Sequence, residues 1–158
     1  MSTIEKTAPT ETEHEDAESR IQVFRYEKPT SFKAGKASVR LCDSDVIKGL
    51  VQVVQDGGEN NLHYHKTNDG FWLVLGGRAR FYGPGDKLIG EFGPHEGLLI
   101  PRNARYWFER VGEEELEILR VGGSSVLGAK GSGRTDSEPQ KFQVGTSDHF
   151  DGMVKTGA

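Results

Sequence analysis

The chain has 158 residues, 20 basic and 24 acidic side chains, a formal net charge of −4 and one cysteine, the budget of a single soluble domain with irregular ends. No apolar run approaches the roughly 18 residues of a membrane span, and the first residues lack the apolar stretch of a secretory signal, so a cytoplasmic protein with no membrane partner is expected. A pI near 5.7 with scattered basic residues argues against a nucleic-acid partner, and lone Cys42 has no second thiol for a disulfide or a zinc knuckle.

Residues 1–20 carry Glu5, Glu11, Glu13, Glu15, Asp16 and Glu18 against Lys6 and Arg20, so the whole acidic excess sits in the leader. Such a segment cannot bury enough apolar surface to offset its ordering entropy and is expected to be disordered. From Ile21 to Val121 short β-type runs alternate with glycine, proline and acidic turns. The candidate strands are Ile21–Tyr26, Ser38–Leu41, Gly49–Gln55, Asn61–His65, Phe71–Leu75, Arg78–Tyr82, Lys87–Phe92, Gly97–Pro101, Tyr106–Arg110 and Leu116–Val121. Turn clusters such as Leu75-Gly76-Gly77 and Gly83-Pro84-Gly85-Asp86 recur at short intervals, which predicts an all-β antiparallel sandwich or barrel. Residues 122–158 form a Gly/Ser-rich extension with an apolar return at Phe142, Val144, Phe150 and Met153 that either docks on the core or stays loose.

The tripeptide His63-Tyr64-His65 carries the chemistry. In a strand, residues i and i+2 face the same side, so the two imidazoles stand together in a chelating geometry. Asp69 follows four residues later, giving Gly57-x5-His63-x-His65-x3-Asp69-x6-Gly76. A second block runs from His95 and Glu96 through Pro101, Asn103 and Tyr106 to Phe108. No phosphate loop, dinucleotide fingerprint or nucleophile elbow is present in the sequence.

These two blocks resemble the paired motifs of the cupin superfamily, G-x5-H-x-H-x3/4-E-x6-G and G-x5-P-x-G-x2-H-x3-N, over Gly49 to Val121. The resemblance implies a small double-stranded β-helix, or jelly-roll barrel, over residues 21–121. It places His63 and His65 on the motif histidines, Asp69 on the glutamate and Tyr106 on the second-motif histidine. Pro101 matches the motif proline, Asn103 stands for the turn glycine and His95 for the leading glycine. The implied metal site is His63, His65, Asp69 and Tyr106, for iron, manganese, nickel, zinc or copper.

Two of those four positions depart from the pattern. Aspartate is shorter than glutamate by roughly 1.5 Å, so Asp69 coordinates only if its strand shifts inward, or else holds a metal-bound water. Tyr106 has three readings: a phenolate ligand to a strongly Lewis-acidic ion, a protonated donor to substrate, or a core aromatic beside Trp107 and Phe108. Unbroken alternation after Asp69 puts Phe71, Leu73 and Leu75 on its inward face as a greasy wall. Arg102, Arg105, Arg78 and Arg80 are expected on solvated surfaces.

Three functions remain open. One is a metalloenzyme acting on a small molecule, with Tyr106 as its catalytic residue and dioxygenase, isomerase, lyase or decarboxylase chemistry. Another is a non-catalytic barrel that binds a sugar or a carboxylate, and the third a metal-free epimerase-like enzyme using His63 and Tyr106 as an acid/base pair. Family likeness and an exposed edge at Ile21–Tyr26 also predict a homodimer.

Overall fold

Period-two alternation decides which side of each strand is buried, and the pairing register then assembles those sides into one interior. The computed structural model describes residues 7–55, 61–126, 133–137 and 147–154. In chain order these contain α1 (Glu11–Ser19), β1 (Val23–Phe24), β2 (Lys36–Asp43), β3 (Ile47–Val54), β4 (His63–His65), β5 (Asn68–Gly76) and β6 (Arg78–Tyr82). There follow β7 (Leu88–Phe92), β8 (Gly97–Ile100), β9 (Trp107–Val111), β10 (Leu116–Ser124), β11 (Arg134–Asp136), β12 (Asp148–Asp151) and β13 (Met153–Val154). Every candidate strand from Ser38 to Val121 is present.

One layer is a six-stranded sheet in the order β12-β2-β3-β10-β5-β8, and opposite it lies the three-stranded sheet β7-β6-β9. The ribbon of β11 and β4 extends this second layer through a bridge between His63 and Tyr106. Trp72 and Val74 of β5, with Leu116 and Ile118 of β10, meet Ala79 and Phe81 of β6 and Phe108 of β9, and these form the main core. Each alternates with a more exposed neighbour, as in the β6 pattern where Ala79 and Phe81 are buried between exposed Arg78 and Arg80. Those two arginines bind Glu91 on the outer surface.

A smaller cluster covers the back of the large sheet, where Val39, Leu41 and Val51 pack with Tyr26, Leu75 and Leu119. The Tyr26 hydroxyl donates to the Glu117 carboxylate, strapping the N-terminal arm across that face. N-terminal to Tyr26, among the described residues, only Val23 and Phe24 form a strand, and they pair with Val154 and Met153 of the same chain.

The leader departs from the disorder that its composition predicts, since Glu11–Ser19 is helical. Its cause is local. Thr10 and Glu13 form a reciprocal capping box, and acids in the first turn suit the helix dipole. No residue of α1 is buried, in keeping with its acid-rich sequence. In the extension, β12 adds in parallel to β2 and β13 docks on β1, whereas Phe142 and Val144, like Gly57 of the first motif, lie outside the described residues.

Two turns explain sequence departures from the motif. Asn103, at the motif's turn-glycine position, has φ 67°, and His95, at the leading-glycine position, has φ 71°. Both are left-handed conformations that glycine adopts most easily and asparagine tolerates.

Candidate functional site

His63 and His65 lie on β4 with both imidazoles turned inward, 1% and 9% exposed, and their ring centroids are 5.1 Å apart. The backbone of His63 exchanges hydrogen bonds with that of Tyr106, at 3.1 Å and 2.9 Å, which brings the start of β9 beside β4. The N–H of Asn103 donates to the His65 carbonyl at 2.8 Å, so the second-motif turn is fastened to the first. As a result the Tyr106 ring centroid sits 4.4 Å from that of His63, and its hydroxyl lies 3.4 Å from His65 Nε2. The hydroxyl contact is thus with His65 rather than with His63.

Protonation follows from these surroundings. His63 Nδ1–H donates to the Asn61 carbonyl at 2.6 Å, which leaves the Nε2 lone pair facing away from that bond. Burial, and then the nearby Arg134 charge, depress the His63 pKa to about 3. Burial pushes the Tyr106 phenol up, opposed by the Arg120 guanidinium, so the phenol is protonated at neutral pH.

The depressed His63 pKa has a signed consequence for the metal-free protein. The unfolded chain protonates this histidine near pH 6.5, whereas the folded chain resists until about pH 3, so acid favours unfolding. The contribution is fully retained above pH ~6.5 and is lost at ~1.4 kcal/mol per pH unit on acidification. Urea unfolding at pH 7 and pH 5, compared between the parent and His63→Gln, should show the parent losing more stability. Equal losses in the two proteins would refute this assignment.

Asp69 is not where an unbroken strand would put it. The chain turns at Lys66 and Thr67 before β5 begins, and this shifts the alternation by one residue. Asn68, Gly70, Trp72 and Val74 therefore face inward, and Asp69, Phe71, Leu73 and Leu75 lie on the more exposed side. The Asp69 carboxylate accepts the Arg102 backbone N–H at 2.8 Å and pairs with Arg102 Nε at 3.3 Å. The expected apolar wall of Phe71, Leu73 and Leu75 is thus replaced by Trp72 and Val74. His14, His95 and His149 are exposed, and among the described residues no group of three His, Cys, Asp or Glu side chains is placed to hold an ion.

The same alternation brings in residues that motif spacing did not identify. Arg120 of β10 is 8% exposed, donates from Nη2 to Asn68 Oδ1 at 3.1 Å, and lies 5.5 Å over the Trp72 ring. Its signal was present in the run Leu116, Ile118, Arg120, where an arginine continues the buried register of a strand. On β11, Arg134 pairs with His65 and Asp136 with His63, in a stretch whose composition suggests only loop.

This donor set fits an ion through two nitrogens. A backbone carbonyl fixes the tautomer of His63, as is usual for metal-binding histidines, and the phenol beside the pair is protonated, hence a proton donor before it is a ligand. The remaining positions would be left to water or substrate, an open arrangement suited to chemistry.

No family model matches the chain, and no curated protein sequence matches it. Solved structures do. A conserved protein with a double-stranded β-helix domain from Klebsiella pneumoniae has a TM-score of 0.53 at 14% identity, over 65% of this chain and 85% of that one. Recombinant oxalate oxidase in complex with glycolate has a TM-score of 0.54 at 19% identity, over 70% of this chain and 59% of that one. The cupin domain of Schizosaccharomyces pombe Cnp3 has a TM-score of 0.55 at 15% identity, over 63% and 68% of the two chains. At such identities the likeness is one of fold.

Proposed function

This chain folds as a cupin double-stranded β-helix, and we propose that it is a metal-dependent enzyme acting on a small molecule inside the barrel. His63 and His65 hold the ion and Tyr106 delivers or takes the proton. The observation that carries this reading is the pair of inward imidazoles beside a buried phenol, with the Tyr106 hydroxyl 3.4 Å from His65 Nε2. A divalent transition ion bound there supplies Lewis-acid or redox activation of an oxygen-bearing substrate. The protein's own groups do the rest. Asn61 orients His63, the Asn103 turn fastens His65, and the aromatic wall of Trp72, Phe81 and Phe108 keeps bulk water from the phenol. Oxalate oxidase, similar in fold, favours an enzyme over a binding module.

Elemental analysis of protein purified without a metal-affinity tag tests the reading. About one iron, manganese, nickel, zinc or copper ion per chain is expected. A reproducibly empty protein that also rejects added ions in equilibrium dialysis would overturn it. The 3.4 Å contact would then favour a metal-free enzyme in which Tyr106 and His65 form the acid/base pair.

A further inference from the structure

Arg120 is a buried cation with no counter-charge among the described residues. Its guanidinium meets the neutral Asn68 amide, the Trp72 ring face and the Tyr106 phenol, and it takes part in no ion pair there. Burying a guanidinium is unfavourable unless an anion compensates it, and this arginine has been carried into the barrel by the register of β10. Beside it, Trp72 Nε1 is buried, with the Tyr106 phenol nearby but no well-formed hydrogen bond. An under-used donor thus lies beside a cation with no ion pair.

Bare backbone at that point is what lets the guanidinium pack there. Gly70 and Gly122 are paired across β5 and β10 on the inward face. A Cβ on Gly122 would stand 2.7 Å from Arg120 Nη1 and 2.5 Å from Asn68 Oδ1. One on Gly70 would stand 3.4 Å from both Arg120 Nη2 and Trp72 Nε1, so the two donors lie side by side against that strand. A cavity of about 290 Å³ opens onto Arg120, Asn68 and Gly122, with Lys48 and Asp43 on its rim, where they pair with each other at 3.7 Å. Asp45 also lies on that rim, exposed on the turn between β2 and β3.

We propose that Arg120 and Trp72 Nε1 grip the carboxylate of a small monoanionic substrate, with the rest of that molecule directed toward Tyr106 and the His63–His65 pair. This names the substrate class of the site proposed above and rests on that reading for the chemistry, though not for the binding. A carboxylate suits the site better than a phosphate because there is one buried positive charge, presented as a planar fork with two oxygens to match. The cavity size suits a small organic acid.

The test is a titration of the full-length, chelator-treated protein with sodium acetate, pyruvate and benzoate, read by tryptophan fluorescence and by the melting temperature. Acetamide, benzamide and inorganic phosphate are the comparison probes. At least one carboxylate should quench fluorescence and raise the melting temperature at millimolar concentration, while the amides and phosphate should do neither. R120M should melt no lower than the parent without ligand and weaken that carboxylate at least about thirtyfold, with W72F weakening it a few-fold. R120K, which keeps the charge but loses the fork, should fall between.

The proposal is overturned if R120M binds as the parent does, if amide or phosphate binds equally well, or if no carboxylate has any effect. It is equally overturned if R120M melts far below the parent and R120K restores the melt without supporting carboxylate binding, because Arg120 is then structural. The titration needs no bound ion. Its failure therefore leaves the metal reading standing, and an empty metal site leaves the titration intact.

Discussion

Replacing His65 with alanine should lower divalent-ion affinity by at least about a hundredfold and reduce turnover to background, while Asp69→Ala should leave ion affinity within about twofold of the parent. The contrast follows from where the two side chains stand. His65 is 9% exposed and aimed at the same interior as His63, so its loss leaves one imidazole where the proposed chelate needs two. Asp69 is engaged outside the barrel wall by Arg102, through both the backbone N–H and Nε. Removing it frees a surface turn and touches no coordination position. Equilibrium dialysis of both variants, with circular dichroism to show intact folds, makes the measurement. A large loss in Asp69→Ala with His65→Ala unchanged would reverse the assignment of the site.

Phe108→Ala should destabilise the fold by about 3–5 kcal/mol, read as a lower urea midpoint with an unchanged slope. Phe108 is fully buried, stacks on Phe81 at 5.0 Å and packs on Trp72 at 5.2 Å, so truncation opens a void where the two layers meet. Phe81 in turn stacks on Tyr106 at 6.1 Å, so the void also loosens the wall behind the phenol. Phe108→Leu, which preserves most of the volume, should cost less than half as much. A loss below about 1 kcal/mol for Phe108→Ala would mean that the interlayer core collapses around the gap, contrary to the rigid packing described.

How far the site was legible depended on how locally each residue is determined. His63 and His65 are two apart on one strand, and a strand of any length turns them to the same side. Asn103 and His95 were legible as substitutes for turn glycines, and both have positive φ. Asp69 was misplaced because the counting passed through the Lys66–Thr67 turn, where one residue of offset inverts the faces of everything after it. Arg120 was written in the alternation of β10, but only the neighbouring strand gives it Asn68 and Trp72 as companions.

The amino-acid sequence by itself determined the β architecture, the strand positions from Ser38 to Val121 and the histidine pair, because period-two patterning and turn chemistry act over a few residues. Its acid-rich leader was equally plain as a segment with nothing to bury, although Thr10 and Glu13 cap a helix there. Tertiary structure alone decided that Asp69 leaves the site, that Tyr106 meets His65, and that Arg120 and Trp72 stand together behind them. Those outcomes are set by cross-strand register and by how two layers close on each other, which are long-range relations that no local window of residues contains.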